Sequence, residues 1–356
     1  MIDIKKIGFT FMVLTMAGAC IEPNTDDLWS ITIESIMQTD GYARDVTIDE
    51  NTAYVAAGQF GIQIWDLTSQ NKTDGFTGYV EGGTFLEFED LAIIRRDSVN
   101  HLIFASESNK DVKIFHYAVG DTDISYRNTI MSAKTKDFIS FPGNADQFIM
   151  FAADNDDGMK WHTYNLDTTD IFGIEFITWT PSGGNEIYTP GKSLGIDSDG
   201  VSYIVMAVDQ LGVELYAIDS LGADPILLGR VDTEGNAEEV TLGALGVFAS
   251  CDDAGAYFIP FQDFQSESNR LDPVPIGESM RNFAEDLTVD HIAVNNGIAA
   301  LSLGAKGVAL YDVTNPSQPI EKGIFPVGYT YKTQFWGNKL VVCSREGLQI
   351  ITIDQL

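Results

Sequence analysis

The most regular feature of the chain is a pair of short apolar segments separated by a tight turn that usually ends in glycine. Residues 53–67, AYVAAGQFGIQIWDL, are the first copy, and similar copies begin at Leu102, Phe148, Tyr203, Val247, Ile298 and Leu340. Segments that alternate apolar and polar residues, or stay apolar throughout, are typical of β-strands covered on one or both faces. The pattern therefore predicts seven β-hairpins.

Further short strands flank these hairpins, as in DVTID at residues 45–49 and PILLGRV at residues 225–231. The turn glycine or its equivalent recurs at intervals of 40 to 54 residues, at Gly61, Asp111, Gly158, Gly212, Gly255, Gly307 and Gly347. Four strands per unit at this period are typical of β-propeller blades. The sequence therefore predicts an all-β fold, a seven-bladed β-propeller.

The two ends of the repeat region predict how the ring closes. The seventh unit reaches Leu356 only nine residues after Gly347, which leaves no room for a fourth strand. Residues 28–38, LWSITIESIMQ, form a strand pattern without a hairpin of its own. Pairing the spare strand with the incomplete blade would remove two exposed sheet edges, which argues against an open solenoid of the same repeats. We predict a single propeller domain over residues 28–356, closed by its N-terminal strand.

Two units carry a more specific signature. Residues 53–67 and residues 307–319, GVALYDVTNPSQP, combine an apolar strand, a glycine turn and a strand that ends in Asp, followed in the second case by Asn-Pro. This combination resembles the LVIVD repeat, a propeller-type repeat of exported bacterial and archaeal proteins. The seventh unit resembles it in part, and units two to five keep the period but lack the Asn-Pro turn. The resemblance implies a surface or periplasmic propeller and brings no catalytic residues with it.

The first 27 residues predict export and lipid anchoring. Two lysines and about thirteen mostly apolar residues are typical of a signal peptide and too few for a membrane-spanning helix. Ala17, Gly18 and Ala19 before Cys20 resemble a bacterial lipoprotein cleavage box, which implies that Cys20 becomes the lipidated first residue. We expect a signal peptide over residues 1–19 and a lipid-anchored linker over residues 20–27, with ordinary secretion as the alternative.

The sequence of the linker also indicates which membrane carries the anchored protein and on which side of that membrane it lies. Glu22, Asp26 and Asp27 resemble the export tags of surface lipoproteins in some bacteria. We therefore expect a protein lipid-anchored to the outer membrane, either exposed at the surface or facing the periplasm.

The charge of the chain excludes one class of partner. Its 21 Lys and Arg residues stand against 52 Asp and Glu residues, giving a net charge of −31. Such a surface repels phosphate backbones, so we expect no nucleic-acid partner.

Motifs that carry catalytic chemistry are absent from the sequence. The four histidines are dispersed along the chain, and there is no Gly-x-Ser-x-Gly elbow, phosphate loop or paired-cysteine metal spacing. Asp154, Asp156 and Asp157 resemble part of a calcium loop, although Asp-Gly is also a strong hairpin-turn signal. They are weak metal candidates.

One set of acidic residues falls at the predicted start of the innermost strands, with Ser193 and Tyr331 at the corresponding places in the fourth and seventh units. Carboxylates converging on the channel of a propeller would attract a cation or a basic partner. They could instead accept hydrogen bonds from neighbouring backbone amides and tie blades together. We predict an acidic channel rim, with Ca²⁺ as the possible cofactor, formed by Asp45, Asp90, Asp137, Glu239 and Asp286.

These observations favour a non-catalytic envelope or cell-surface lipoprotein that binds a protein partner or a surface polymer. Two alternatives stay open. One is a propeller enzyme, a polysaccharide lyase or hydrolase that uses the acidic face of the channel. The other is a structural subunit of an outer-membrane complex.

Overall fold

The computed structural model describes residues 28–354 except 109, 132–133, 221 and 265–275. The described residues form seven four-stranded antiparallel sheets. The prediction of an all-β, seven-bladed propeller is confirmed. In each blade we name the strands A to D from the axis outward. The predicted signal peptide, the linker and Cys20 lie outside the described residues.

The first three blades follow the predicted hairpins. Blade 1 contains β2 (Asp45–Asp49), β3 (Thr52–Ala56), β4 (Ile62–Asp66) and β5 (Asn71–Phe76). Blade 2 contains β8 (Leu91–Asp97), β9 (Leu102–Glu107), β10 (Val112–His116) and β11 (Ser125–Ile130). Blade 3 contains β12 (Asp137–Pro142), β13 (Gln147–Ala153), β14 (Met159–Ile171) and β15 (Ile174–Ile187).

The next three blades keep the same strand order. Blade 4 contains β16 (Gly195–Ser198), β17 (Tyr203–Ala207), β18 (Val213–Ala217) and β19 (Ile226–Val231). Blade 5 contains β20 (Glu239–Leu242), β21 (Gly246–Ser250), β22 (Ala256–Pro260) and β23 (Arg281–Phe283), with helix α1 (Phe261–Phe264) after its third strand. Blade 6 contains β24 (His291–Asn295), β25 (Ile298–Ser302), β26 (Val308–Asp312) and β27 (Ile320–Phe325).

Blade 7 joins the two ends of the described chain. It contains β28 (Thr330–Trp336), β29 (Lys339–Ser344) and β30 (Gly347–Asp354), and its outermost strand is β1 (Ser30–Met37). Strand β1 runs antiparallel to β30, from the pair Ser30–Asp354 to the pair Met37–Leu348. The A strands of neighbouring blades contact one another around the whole circle, β28 with β2 included.

The hydrophobic core is divided among the spaces between adjacent blades. Tyr54 and Ile64 of blade 1 pack with Ile94 and Phe115 of blade 2, and each of the other blades also contributes buried apolar side chains. Central strands such as β9 and β21 are buried along their whole length because they are covered on both faces, which explains their continuous apolar sequences.

Two hairpins extend the basic plan. Strands β6 (Gly78–Glu81) and β7 (Thr84–Glu87) form a separate hairpin in the connection from blade 1 to blade 2. In blade 3, β14 and β15 pair up to a two-residue turn at Phe172 and Gly173, and this turn is exposed. Among the residues the structure describes, no helix is long and apolar enough to cross a membrane.

The geometry of the B–C turn, which joins the second and third strands of a blade, explains why this turn ends in glycine. Gly61 has φ of +71°, and a Cβ atom built on it would lie 2.1 Å from the carbonyl oxygen of Phe76 at the end of the D strand. Gly307 has φ of +89° and the same relation to the Phe325 oxygen, at 2.1 Å. Any side chain here would meet backbone atoms, so the turn requires glycine for both its conformation and its close contact.

Candidate functional site

The register of the sheets identifies one equivalent position at the start of each A strand. In five blades this residue pairs with the last residue of the B strand, as Asp45 pairs with Ala56. In blades 2 and 7 it pairs with the last residue but one, Ser106 and Cys343. The seven equivalent residues are Asp45, Ile93, Asp137, Gly195, Glu239, His291 and Lys332. Three of the five predicted acidic residues therefore come together at the axis.

The other two predicted rim residues lie elsewhere. Asp90 is exposed, three residues before the equivalent position Ile93, and its carboxylate lies 3.5 Å from the Arg44 guanidinium. Asp286 is exposed in the D–A loop, five residues before His291. The predicted alignment was wrong at these places because the register shifts between Leu91 and Ile93 and because the strand of blade 6 begins later than its sequence pattern indicates.

The same correction applies to the fourth and seventh blades. Gly195 and Lys332, rather than Ser193 and Tyr331, occupy their equivalent positions. The ring at the axis is therefore not uniformly acidic.

A cavity of about 570 Å³ lies on the axis. Its charged lining comprises four carboxylates and two cations: Asp45, Asp137, Asp197, Glu239, Arg95 and Lys332. The cavity continues along the A strands to Asn295 and Phe335, which lie near the turns between A and B strands. We call it the axial cavity.

Arg95 is the main cation of the axial cavity. Its Nη1 lies 2.5 Å from Asp45 Oδ2, and its Nη2 lies 2.8 Å from Asp137 Oδ1. Its Nε donates to the carbonyl oxygen of Phe138 at 3.1 Å. Because these partners belong to blades 1 and 3 while Arg95 belongs to blade 2, one guanidinium joins three blades.

Burial and the ion pairs act in opposite directions on these carboxyls. Burial disfavours the charged form of Asp45, but Arg95 and Lys332 outweigh it and hold its pKa below the ordinary value. Asp45 Oδ2 also accepts a hydrogen bond from the Ile94 amide at 3.1 Å. For Asp137 burial outweighs Arg95, so its pKa is raised.

Lys332 is the second cation. Its Nζ lies 3.1 Å from Glu239 Oε1 and 4.0 Å from Asp45 Oδ1. Glu239 belongs to blade 5 and Lys332 to blade 7, so this ion pair bypasses blade 6 and crosses part of the axial cavity. Burial disfavours the ammonium, but Glu239 and Asp45 outweigh this and raise the pKa of Lys332.

Asp197 differs from the other three carboxylates because no ion pair involves it among the described residues. Its Oδ2 accepts a hydrogen bond from the Leu242 amide at 2.8 Å, which joins blade 4 to blade 5. Burial raises the pKa of Asp197 to about 6, and neighbouring Asp137 contributes to the rise.

His291 completes the polar lining at this level of the axial cavity. Burial lowers its pKa to about 3, and the positive charge of Lys332 lowers it further. Its Nδ1 is buried and has no hydrogen-bond partner within the described part of the chain. Gln334 Oε1, also in the lining, is in the same situation.

The weak metal candidates lie in the B–C turn of blade 3. Asp154 is fully buried with Lys160 Nζ 2.5 Å from its Oδ2, and Asp157 lies 3.4 Å from the same ammonium. Asp156 is exposed. Within the described ranges no three His, Cys, Asp or Glu side chains are grouped as a metal site.

Sequence reasoning did not find Arg95, Asp197, His291 or Lys332 as members of a site. Each stands at or just after the start of an A strand, but a charged residue in a strand can face either solvent or a channel. A repeat alignment anchored on the B strand instead of the loop would have placed His291 and Lys332 at the axis.

A second cluster lies on the face formed by the B–C turns and the D–A loops, at the junction of blades 7 and 1. The Arg345 guanidinium carbon lies 3.9 Å from the ring centre of Tyr329 and 5.6 Å from that of Tyr42. Arg345 Nε also donates to the Tyr331 hydroxyl at 3.2 Å, and Arg44 lies 4.8 Å from the Tyr331 ring centre. We call these five residues the tyrosine–arginine cluster.

A groove of about 410 Å³ adjoins this cluster. Tyr42 and Arg44 form one side of it, and Phe60, Glu89 and Asp90 contribute to the rest. Tyr42 is 48% exposed and Phe60 38% exposed, so aromatic surface faces solvent here.

The comparisons with known proteins agree with the fold and with the repeat. The model of the LVIVD repeat matches residues 40–70 and 291–327. These segments contain most of blade 1 and blade 6, so the resemblance noted for the first and sixth units is confirmed. The comparison with curated proteins gave no match.

Solved structures share the architecture at low sequence identity. The computationally designed Ika8 protein is 11% identical, with a TM-score of 0.56 over 89% of this chain and 98% of its own. The structure of U3-55K is 12% identical, with a TM-score of 0.63 over 92% of this chain and 98% of its own. At such identities the likeness shows the fold alone.

Proposed function

We propose that this LVIVD-repeat propeller is a non-catalytic scaffold that binds a protein partner. The partner would dock on the face formed by the B–C turns and the D–A loops. The observation that carries the proposal is the tyrosine–arginine cluster at the junction of blades 7 and 1.

Tyrosine and arginine are, together with tryptophan, the side chains enriched in binding hot spots. Tyrosine offers a large amphipathic surface with only two rotatable side-chain bonds, and arginine offers a planar guanidinium that stacks on aromatic rings. Here contacts between the rings hold them in place before any partner binds: Tyr329 and Tyr331 have ring centres 5.0 Å apart, and the ring centre of Tyr331 lies 6.4 Å from that of Tyr42. Preorganised side chains lose little conformational freedom on binding. The adjoining groove gives a partner side chain a concave place beside the exposed ring of Phe60.

The charge of the same face supports a partner with a basic surface around its contact point. Exposed carboxylates lie in the D–A loops and B–C turns of blades 4 to 6, among them those of Glu234, Glu238, Asp252, Asp253, Glu285 and Asp290. Burial and nearby Asp252 raise the pKa of Glu238, so these charges are close enough to repel one another. A basic partner would relieve that repulsion and be steered to the face.

The axial cavity supports a scaffold more than an enzyme. Three of its four carboxylates are held in ion pairs with Arg95 or Lys332, and its hydrogen bonds join neighbouring blades. Acid–base catalysis needs a carboxyl free to exchange a proton with a substrate. The ion pairs commit Asp45, Asp137 and Glu239 to Arg95 and Lys332, which leaves Asp197 without a second unpaired carboxyl in the lining to act with it.

The docking surface can be tested with Tyr331→Ala and Arg345→Ala, and with Tyr188→Ala as matched control. Tyr188 is 73% exposed on the same face but lies before blade 4, away from the cluster. A photo-crosslinker placed at Phe60 in intact cells would capture the neighbour, and binding of that purified protein would then be titrated. We expect each cluster variant to weaken binding at least tenfold and the control to leave it unchanged.

Two outcomes would overturn this assignment. One is equal affinity of the partner for all three variants. The other is capture of a surface polysaccharide in place of a protein, together with loss of polysaccharide binding in the cluster variants.

We also propose that the scaffold is lipid-anchored at Cys20 to the outer membrane. The support is the sequence Ala17-Gly18-Ala19-Cys20 after an apolar segment, and the acidic residues that follow it. Cys20→Ser should move the protein from the membrane fraction to the soluble fraction or leave its precursor uncleaved. Unchanged fractionation would contradict the anchor, and protease treatment of whole cells would distinguish the surface from the periplasm.

A further inference from the structure

The axial cavity holds more negative charge than its own cations balance. Among the described residues that line it, the four carboxylates face two cations, Arg95 and Lys332, and His291 is neutral near pH 7 because its pKa is about 3. Arg95 is shared by Asp45 and Asp137, and Lys332 is closest to Glu239. The remaining carboxylate is that of Asp197, whose hydrogen bond in the cavity comes from a backbone amide.

Two further polar atoms in the lining lack partners. Gln334 Oε1 and His291 Nδ1 are buried without a hydrogen bond in the part of the chain that the structure describes. An amide oxygen can only accept, so Gln334 requires a donor. A buried polar atom without a partner is unfavourable, so the described residues do not pair the lining of the axial cavity completely.

We propose that the axial cavity binds a small organic molecule through a primary ammonium group, with Asp197 as its carboxylate. This site is separate from the tyrosine–arginine cluster and does not depend on the proposed function.

The chemistry of the lining selects this ligand class. An anion would add to the existing excess of negative charge, and a neutral molecule would leave Asp197 uncompensated. The described residues present no group of three His, Cys, Asp or Glu side chains for a metal ion. An ammonium group supplies both the positive charge and three N–H donors.

The size of the cavity fits the same class. About 570 Å³ lies within the usual range for small-molecule sites, and apolar side chains of Ile139, Ile196, Val294 and Phe335 line the rest of the space. The organic part of an amine would contact these side chains while its ammonium group lies at the charged level. The raised pKa of Asp197 is consistent with a carboxyl that lacks a cation in the free protein.

Isothermal titration and thermal unfolding with n-butylammonium and 1,4-diaminobutane test the site at constant ionic strength, with n-butanol as the uncharged comparison. We expect both amines to bind and to raise the Tm by several degrees, and n-butanol to have no effect. Asp197→Asn should weaken amine binding at least tenfold while its amide oxygen still accepts from Leu242. Asp286→Asn, an exposed carboxyl outside the cavity, should bind like the wild type.

A second variant keeps the test decisive if Asp197→Asn disturbs folding. Gln334→Lys places an ammonium group in the cavity and should remove the amine response while raising the Tm without ligand. The proposal is overturned if no amine binds, if sodium or calcium produces the same shift, or if the Asp197 and Asp286 variants respond alike.

Discussion

At the scale of single residues, Arg95 is the group on which the axial cavity depends most. It compensates Asp45 and Asp137, whose side chains are 3% and 5% exposed. Removing one member of a buried ion pair costs more than the pair contributes, because it leaves a charge without either water or a partner. The same cation also joins blades 1, 2 and 3, so its loss affects the packing around the axis.

We therefore expect Arg95→Met to lower the free energy of unfolding by on the order of 3 kcal/mol at pH 8. The loss should be smaller at pH 5, because the two carboxyls can then take up protons. Arg44→Met is the matched control, since its ion pair with Asp90 is 3.5 Å long and largely exposed and should contribute less than about 1 kcal/mol. Urea unfolding at both pH values measures these differences, and equal losses for the two variants would contradict the assignment.

Asp197 and His291 should give the fold opposite pH dependences. The raised pKa of Asp197, about 6, means that its contribution to stability is present below its unfolded pKa and is lost as the pH rises through 6. The pKa of His291 is lowered to about 3, so its contribution is present above its unfolded pKa of about 6.5 and is lost as the pH falls. Between about pH 4 and 6 the two effects oppose each other in the wild type.

Substitution of either residue should reveal the pH dependence of stability that the other one causes. Relative to wild type, Asp197→Asn should become less stable as the pH falls from 6 to 4, with a slope of up to about 1.4 kcal/mol per pH unit. His291→Gln should show the reverse slope. Chemical denaturation across this range gives both curves, and parallel curves for the two variants would show that these groups do not titrate as the geometry requires.

At the scale of elements, the B–C turn is where the repeat is most strictly determined. Gly61→Ala would place Cβ 2.1 Å from the Phe76 oxygen in addition to forcing alanine to a positive φ. Gly82→Ala in the β6–β7 turn has φ of +57° but no atom within 4 Å of the new Cβ, so it isolates the conformational part. We expect a loss of about 1 kcal/mol at Gly82 and clearly more at Gly61. Similar losses of unfolding free energy at both sites would show that the close contact with the Phe76 oxygen is not the reason for Gly61.

The elements differ in how far the sequence could predict them. The B–C hairpins were predictable because their two strands are continuous in sequence and buried on both faces, which leaves a strong apolar pattern. The start of each A strand was not, because it follows a D–A loop whose content varies: the loop before blade 2 contains the whole hairpin β6–β7. The predicted acidic rim was therefore correct for Asp45, Asp137 and Glu239, which lie at the axis. It was wrong for Asp90 and Asp286, which lie in exposed loops.

The cations of the axial cavity lay beyond sequence reasoning for a different reason. Arg95 follows two isoleucines in an A strand, and nothing local distinguishes it from Arg96, whose Nη1 instead donates to the carbonyl oxygens of Leu102 and Tyr117. Lys332 finds its closest acid on blade 5, more than 90 residues earlier in the chain. Pairings of this kind are set by the closure of the ring, which brings distant strands to one axis.

At the scale of the whole molecule, we expect that closure to depend on β1. The strand is the outermost member of blade 7 and pairs with β30 over the length of both strands. It adds side-chain contacts to the same blade, since Glu34 accepts hydrogen bonds from Lys339 and from Thr352. Without β1, the edge of β30 would be open to pairing with another chain.

Deletion of residues 28–38 should therefore destabilise the whole propeller rather than one blade. The apolar side chains of Trp29, Ile31 and Met37 would lose their packing against blades 6 and 7 and the start of blade 1, a loss of several kcal/mol at about 25 cal/mol per Å² of buried apolar surface. A chain that begins at Leu28 is the matched control, because it keeps β1 and lacks only what precedes it. Thermal unfolding with light scattering should show a lower Tm and earlier aggregation for the deletion alone. If the shortened chain unfolds at the same temperature as the control, β1 does not close the ring.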